Sequence, residues 1–221
     1  MKTAAVVLAA LLLTASTARA QDTTAPAAAA VTKEASAAPE RAAASEIARF
    51  LAGGAVGLGL HESGHLLTGA LFGADPGVKA VSFGPIPFFA ITHDPVSPAR
   101  EYTIAASGFW VQHATSEWLL TRRPGLRGEH APIAKGVLAF NVLASTAYAT
   151  AAFGTFGPYE RDTRAMADAL GVSEPWIGGL ILAPAVLDAW RYVKPESRWA
   201  AWTSRAMKVG AVLVVATAAS R

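Results

Sequence analysis

The sequence contains no cysteine and few charged residues, and both shortages narrow the class of protein. With no cysteine among 221 residues, disulfide scaffolds and thiolate metal sites are excluded. Charged residues make up 16% of the chain and hydrophobic residues 52%, whereas about 25% charged residues is usual in soluble domains. This composition favours an integral membrane protein, with the lipid bilayer as a partner. The net charge of +3 is scattered rather than gathered in a basic run, so nucleic acid is not an expected partner.

The N-terminal segment has the pattern of a targeting sequence. Lys2 precedes an apolar run, and residues 18–20 (ARA) form a small-residue cleavage site. Residues 1–20 are therefore predicted to be a secretory signal peptide, with an uncleaved anchor as the alternative. Residues 21–45 are rich in Ala, Thr and Pro without a periodic apolar face, which predicts a disordered, extracytoplasmic tether.

The remainder of the chain, residues 46–221, is predicted to form one membrane-embedded domain. Roughly 20 residues of helix cross a bilayer core, and the segment 78–92 mixes β-branched and aromatic residues with two prolines. The predicted fold class is mainly α: a polytopic integral membrane helical bundle of four to six spans, with a short β hairpin or re-entrant segment after the first helix. Five apolar blocks carry this prediction, at about 47–72, 102–120, 133–153, 176–190 and 200–219.

The expected location is a membrane, such as a bacterial inner membrane, but the sequence leaves the orientation open. With a translocated N-terminus and every block crossing, two basic connections would lie outside, at residues 122–127 and 191–205. Lys and Arg usually remain on the cytoplasmic side. Glycines in the first block, at 53, 54, 57 and 59, are expected to let a neighbouring helix approach closely.

The first apolar block carries the sequence HESGH at residues 61–65. Residues i and i+4 lie on one face of a helix, so His61 and His65 can direct both imidazoles at one ion. Glu62 can then act as the general base of a zinc hydrolase. An ionisable residue at bilayer depth costs about 2.5 to 3.5 kcal/mol, so three within five positions indicate function rather than a polar patch facing another helix.

The stretch HESGHLLTGALFG resembles the first motif of the site-2-protease family of intramembrane zinc metalloproteases, in which a glycine precedes the second histidine as Gly64 does. That family typically has β-structure after this helix, where VKAVSFGPIPFFAI stands. Its next helix is loosely similar to residues 106–112. The resemblance, which covers about residues 46–170, also implies an aspartate as third zinc ligand. The similar segment here, GPYERDTRAMADAL, offers Asp162, followed by Thr163 in place of the usual glycine.

Several other polar residues in apolar segments are alternatives or helpers. A carboxylate is expected as third ligand because two imidazoles and one carboxylate leave the fourth zinc position for water, and Asp188 is the alternative to Asp162. A simple ion pair with Arg191 at i+3 also explains Asp188. Three further features are candidates: His113 with Glu117 as a pair that orients a ligand, Gln112 or Asn141 as a substrate contact or helix bridge, and the loop residues His93 and His130.

The function expected from these features is a zinc-dependent intramembrane endopeptidase. Glu62 would be the catalytic residue, and His61, His65 and Asp162 would bind Zn²⁺. The substrate would be a membrane protein or peptide, cleaved within or near the bilayer. The alternative is a non-proteolytic membrane scaffold or a metal-binding degenerate relative, which Thr163 and the loose second motif favour.

Overall fold

The fold is that of a computed structural model, which describes the backbone of residues 27–83 and 86–218 and the side chains of residues 41–82 and 89–211. The proposed signal peptide, residues 1–20, lies outside the described residues. The compact unit from Ala43 to Arg221 contains all elements except the first part of the first helix. The described elements are α1 (Ala27–Leu71), β1 (Gly77–Phe83), β2 (Ile86–Thr92), α2 (Pro98–Arg122), a 3₁₀ turn (Leu126–Gly128), α3 (Pro132–Gly154), α4 (Asp162–Leu170), α5 (Glu174–Val193) and α6 (Arg198–Ala218).

The fold is mainly helical with a small two-stranded sheet, as the sequence predicts. Strands β1 and β2 form an antiparallel hairpin directly after α1, with Gly77 opposite Thr92 and Phe83 opposite Ile86. The base of the hairpin is closed by a hydrogen bond of 2.7 Å from Asp94 N to Ala74 O. The hairpin therefore stands beside the end of the helix that carries HESGH.

Helix α1 begins earlier than the sequence suggests. It starts at Ala27, inside the segment 21–45 for which composition predicts a disordered tether. Alanine has the highest intrinsic helix propensity, and an apolar face is needed for burial rather than for the helix itself. The structure thus differs from the sequence interpretation over residues 27–45, while the extracytoplasmic location of this segment stays a prediction.

Proline and glycine mark the ends of the later helices. Pro98 and Pro132 are the first residues of α2 and α3, and Pro175 stands in the first turn of α5. Proline suits this position because the first amide of a helix has no intrahelical acceptor. Gly171 ends α4 with a left-handed conformation, φ 65°. These ends fix the connections at both ends of the bundle.

The contact between α1 and α3 depends on glycine. A Cβ atom built on Gly53 would collide with the carbonyl of Ile133, and one on Gly136 with the carbonyl of Phe50. Gly57 is similarly covered by the ring of Phe140. The expected close approach is therefore found at Gly53 and Gly57, whereas the other two glycines of this block, 54 and 59, have nothing within 4 Å of a built Cβ.

One helix in the described part of the chain is long and apolar enough to be a candidate membrane span. This helix is α3, with 44% of its most apolar window buried. A buried core helix of a soluble protein passes the same test, so the polytopic bundle expected from the sequence is not confirmed. Helices α1 and α2 carry histidines, carboxylates and amides that lower their mean hydropathy.

Adjacent glycines in α1 give a matched test of the helix contact. Gly53→Ala is expected to destabilise the protein by about 1 to 3 kcal/mol through overpacking against Ile133. Gly54→Ala should be neutral or stabilising by up to about 1 kcal/mol, because alanine is the better helix former and meets open space. Thermal unfolding of the purified protein measures both. Equal stability of the two variants would show that α1 and α3 do not touch at Gly53.

Candidate metal centre

The two histidines of HESGH and Asp162 converge on one point. The Nε2 atoms of His61 and His65 are 3.1 Å apart, and Asp162 Oδ2 lies 3.3 Å from the first and 3.5 Å from the second. Bonds of about 2.0 to 2.2 Å to a tetrahedral zinc ion would place ligand atoms about 3.3 to 3.6 Å apart. Together these three residues form a group able to hold a metal ion. The donor set and its spacing fit the expected site.

Hydrogen bonds on the far side of each ring orient both imidazoles. His61 Nδ1 donates to Gln112 Oε1 at 2.9 Å, and His65 Nδ1 donates to the carbonyl of Ile104 at 2.8 Å. Because both acceptors are oxygens, the proton of each neutral ring sits on Nδ1 and the Nε2 lone pair faces the site. Two lone pairs at 3.1 Å repel each other unless a metal ion or a proton lies between them. The arrangement is the one that a metal ligand pair requires.

Glycines from α1 and α2 let the two helices meet at the site. A Cβ on Gly64, inside the motif, would lie 2.7 Å from the carbonyl oxygen of Ser107. A Cβ on Gly108 would lie 2.6 Å from His61 Cε1 and would also collide with the ring of His65. The glycine before the second histidine therefore has a packing reason here, since a side chain would push α2 and its acceptors away from the rings.

Asp162 is the first residue of α4, and both of its neighbours are fastened to Glu174 of α5. Arg161 donates to Glu174 through Nε at 2.6 Å and Nη2 at 2.5 Å, and Thr163 Oγ1 donates to the same carboxylate at 2.6 Å. The Arg161 and Glu174 side chains are 8% and 9% exposed. Thr163, which replaces the glycine of the resembling motif, thus serves as an anchor. With Arg161 and Thr163 held, the Asp162 carboxylate is directed at the histidines.

Glu62 and Asp162 line a common cavity of about 270 Å³. Glu62 is half-buried, and strand β2 supplies a wall of this cavity through Phe89, Ala90 and Ile91. A carboxylate therefore lies beside the metal group, and a strand lies beside that carboxylate. No sequence pattern indicates which hairpin residues reach the cavity, because that depends on how the hairpin folds over α1.

A salt bridge ties the hairpin to the loop before Asp162. Lys79 Nζ of β1 donates to Glu160 Oε1 at 2.5 Å, and Glu160 lines the same cavity as Glu62. The hydrogen bond from Lys79 holds the pKa of Glu160 below its usual range. Glu160 therefore stays ionised at neutral pH and bound to the hairpin, rather than competing with Asp162 for the metal.

Tyr148 of α3 is a site residue that the sequence does not reveal. Its ring lies 6.0 Å from the His61 ring and 5.1 Å from the Phe109 ring. It also lines the cavity that contains Glu62. In sequence it is one tyrosine in an alanine-rich helix, and only the close packing of α3 on α1 brings it here.

The two buried amides considered as substrate contacts bind other parts of the protein. Asn141 Nδ2 donates to the carbonyl of Gln112 at 3.0 Å and to Ser116 Oγ at 2.9 Å, so it bridges α3 and α2. Gln112 orients His61. Among polar residues of the second apolar block, Gln112 is therefore the one that supports the metal group.

Other candidates from the sequence lie away from the metal group. Asp188 binds Lys208 at 2.8 Å and Ser204 at 2.9 Å, and Glu117 binds Arg191 at 2.5 Å. His113 and Glu117 therefore do not orient a metal ligand, because both face the opposite side of α2. The remaining two histidines pair with surface carboxylates: His93 with Glu101 at 3.5 Å and His130 with Glu46 at 3.3 Å.

Comparison of the chain with protein-family models, with curated proteins and with solved structures finds no match. The residues of the site define a group of two histidines and one aspartate that could hold a metal ion, with a glutamate on the adjoining cavity.

Glu174 is predicted to control metal affinity without touching the metal group. Glu174→Ala frees Arg161 and Thr163, so Asp162 loses its fixed direction and zinc affinity should fall about 10- to 100-fold, as is usual for residues that support ligands. Competition with a chromogenic chelator measures the affinity, and circular dichroism checks folding.

The matched control for Glu174→Ala is Glu129→Ala, which removes a carboxylate paired with Arg123 in the loop after α2. Its zinc affinity should equal that of the unaltered protein. If folded Glu174→Ala binds zinc as tightly as the unaltered protein, Asp162 needs no support from α5.

Proposed function

We propose that the protein is a zinc-dependent intramembrane endopeptidase that hydrolyses a peptide bond of a membrane protein or peptide. One observation carries the proposal: the group formed by His61, His65 and Asp162 adjoins a cavity that Glu62 and a β-strand both line. A zinc ion bound by this group would supply Lewis acidity and lower the pKa of a bound water to about 7.

Hydrolysis is favoured over other chemistry by the residues around the metal group. Two histidines and a carboxylate also suit ferrous iron in oxygenases. Glu62 distinguishes the two possibilities, because peptide hydrolysis needs a general base beside the attacking water. Glu62 would take a proton from that water and deliver it to the leaving amine. The position of Glu62 on the cavity wall is consistent with both steps.

Tyr148 is suited to stabilising charge that develops on the substrate. Its ring lies beside that of His61 and it lines the same cavity as Glu62 and Asp162, so its hydroxyl would be close to where a scissile carbonyl is polarised. Donors of this kind typically contribute a factor of about 100 to 1000 in kcat. We assign to Tyr148 the role of binding the carbonyl oxygen of the scissile bond.

The substrate would bind in extended form along the hairpin. Residues Phe89 to Ile91 of β2 line the cavity, and adding a strand to a sheet gives a peptide main-chain hydrogen bonds while leaving its side chains to set preference. A helical transmembrane substrate would have to unwind to reach Glu62. Unwound backbone is tolerated at membrane depth beside protein or a wet cavity.

Membrane insertion is supported by apolar side chains on the outer surface. Large exposed apolar areas on a protein mark contact with a membrane or another protein. Over its described side chains, helix α1 exposes seven large apolar residues at 37% to 83% of their area, before and after the HESGH motif: Ile47, Phe50, Leu51, Val56, Leu60, Leu67 and Leu71.

Exposed aromatic residues stand near both ends of the bundle, as in the interfacial belts of membrane proteins. At one end the connections after α2 and α5 meet, since Arg127 Nη1 lies 3.4 Å from the carbonyl of Val193. At the other end α3 finishes beside the start of α5. Exposed aromatics include Trp118, Trp190, Trp199 and Trp202 at the first end, and Phe153, Phe156, Tyr159 and Trp176 at the second.

The alternative is a non-proteolytic membrane scaffold. It is favoured by Thr163, which stands where the similar motif of the site-2-protease family has a glycine. That departure does not weaken the metal group, because Thr163 helps to hold Asp162 through Glu174. Metal content and cleavage separate the two functions: a scaffold needs neither, and a metal-binding degenerate relative would bind zinc without cleaving.

Glu62→Gln is predicted to abolish cleavage and to keep the metal. Loss of a general base typically lowers the rate about 100- to 10,000-fold. The assay uses purified protein with a reporter that has one transmembrane segment, and elemental analysis should find about one zinc per chain in the unaltered protein and in Glu62→Gln. Tyr148→Phe should retain zinc and lower kcat with little change in KM.

His61→Ala is the companion variant, expected to lose zinc and activity together. Glu129→Gln, in a surface loop, should behave as the unaltered protein. Full cleavage by pure Glu62→Gln would end the peptidase proposal, and iron in place of zinc would favour oxygenase chemistry. Zinc without any cleavage would favour the degenerate relative.

Helix α3 is predicted to cross the membrane. The chain has no cysteine, so single cysteines can be placed at Gly128 before α3 and at Tyr159 after it. In sealed vesicles an impermeant maleimide should label one position and not the other, with both labelled after permeabilisation. Ser45→Cys should label with Gly128→Cys, because Glu46 pairs with His130.

The side shared by residues 45 and 128 is expected to be extracytoplasmic, following the proposed signal peptide. Labelling of Gly128→Cys and Tyr159→Cys from the same side would show that α3 is not a span. Labelling of residue 128 only from the cytoplasmic side would reverse the proposed orientation and agree with the basic residues at that end.

A further inference from the structure

A second polar cluster lies on the opposite side of α2 from the metal group. Arg191 Nη1 and Arg205 Nε donate to Glu117 at 2.5 and 2.8 Å, and Lys208 Nζ reaches Glu117 at 3.2 Å and Asp188 at 2.8 Å. These residues come from α2, α5 and α6. The side chains of Asp188, Arg191 and Lys208 are at most 10% exposed.

The cluster carries one positive charge more than its carboxylates balance. It contains three cations, Arg191, Arg205 and Lys208, and two carboxylates, Glu117 and Asp188. In the described residues no other carboxylate pairs with these cations. Each cation pairs with a carboxylate and the Arg205 side chain is 39% exposed, so the net positive charge of the cluster is open to an anion on the side of Arg205.

The anion has a place to bind, since Arg205 and Lys208 line an open groove of about 330 Å³. Binding pockets for small molecules usually measure about 300 to 1000 Å³. Apart from its charged part, the groove is lined mostly by apolar side chains such as Phe109, Ile181 and Val209. An anion that also has a long apolar part would complement both regions.

The groove is long and narrow. On α2 its lining runs from Glu117 through His113 and Phe109 to Tyr102. At a rise of 1.5 Å per residue these positions extend over about 22 Å. That length exceeds half of a bilayer's hydrocarbon core, about 15 Å. With a volume of only about 330 Å³, the groove suits one acyl chain better than two.

On the groove wall one buried hydroxyl lacks a hydrogen-bond partner, and one histidine makes no hydrogen bond to the described part of the protein. His113 is 9% exposed, and no hydrogen bond or ion pair joins it to another described residue. The hydroxyl of Tyr102, a residue with 0% exposure, has no hydrogen-bond partner among the described residues. Unpaired buried polar groups are uncommon and mark places where a ligand or water completes the bonding.

We propose that this groove between α2, α5 and α6 binds a long-chain fatty carboxylate. The carboxylate pairs with Arg205 and Lys208 and accepts a hydrogen bond from His113. The acyl chain lies along Phe109 and Ile181 toward Tyr102. The assignment rests on charge, groove shape and unpartnered side chains, so it does not depend on the peptidase activity.

The groove and the metal group share a wall. Phe109 lines the groove, and its ring lies 5.3 Å from the ring of His61. Gln112, which orients His61, precedes the groove residue His113 in the chain. A bound chain would press on the same segment of α2 that supports the metal ligands.

Binding can be measured through the fluorescence of Trp110, which lies on the groove wall. The protein is placed in nanodiscs of zwitterionic phosphatidylcholine and titrated with dibromostearate, whose bromines quench nearby tryptophan fluorescence. Saturable quenching is expected, and Trp110→Phe should remove its saturable part. The methyl ester of the probe should bind about 10- to 100-fold more weakly, because an ester has no negative charge and accepts only weaker, neutral hydrogen bonds.

Two variants test the charged and apolar parts of the groove separately. Lys208→Met removes the excess charge and should weaken binding about 10- to 100-fold, whereas Lys135→Met, outside the groove, should not. Ile181→Trp fills the groove and should block binding while leaving the charges intact. Circular dichroism and zinc content confirm that each variant is folded.

Quenching by the carboxylate that is equal in unaltered protein and Ile181→Trp would overturn the proposal, as would equal binding of acid and ester. Saturable quenching of Trp110 by brominated phosphatidylglycerol, with none by the fatty acid, would assign the groove to a phospholipid instead. If Lys208→Met does not fold, the comparisons with the ester and with Ile181→Trp still test whether the groove binds the fatty carboxylate.

Discussion

The fixed direction of two imidazole rings is the constraint on which the site depends. Each ring can offer Nε2 to a shared point only while its Nδ1 proton is bound elsewhere, and both acceptors belong to α2: Gln112 Oε1 and the carbonyl of Ile104. Those acceptors are within reach only because Gly64 and Gly108 remove side chains from the helix contact. The spacing of HESGH therefore provides the ligands, and the contact between α1 and α2 makes them usable.

Helix α2 keeps two sets of charges apart. Gly108 and Gln112 face the metal group, while Phe109, His113 and Glu117 face the groove, as a step of about 100° per residue places neighbours on different faces. Separation matters because a cation such as Lys208 near the ligands would oppose binding of a positive metal ion. The carboxylates are divided accordingly, with Asp162 held at the metal group and Asp188 at the cations. Asp188 is thus a partner of Lys208 and does not belong to the metal group.

Local patterns predicted the parts of the structure that local interactions determine. The i, i+4 histidines and the hairpin of 78–92 needed only helix geometry and residue propensity. Asp162, about a hundred residues from His61, needed a family resemblance, since no local rule joins positions so far apart. The roles of Glu174 and Tyr148 cannot be predicted from the sequence, because the first arises from packing of α5 on α4 and the second from packing of α3 on α1. The helix over 27–45 was missed because alanine favours helix without any apolar periodicity.

The low hydropathy of α1 and α2 and the polar side chains that these helices place in the interior have a common origin. The mean hydropathy of α1 is lowered by His61, Glu62 and His65, and that of α2 by Gln112, His113 and Glu117. Helix α3 contributes mainly Asn141 and Tyr148 to the interior and remains the candidate span. A hydropathy average counts these buried polar side chains as if they met lipid. In the structure they meet each other, with His61, Gln112 and Asn141 all at most 4% exposed. The outer faces, where lipid would be met, keep the apolar residues. In the membrane location that we propose, a helix is therefore expected to look less like a membrane span the more polar side chains it supplies to the interior.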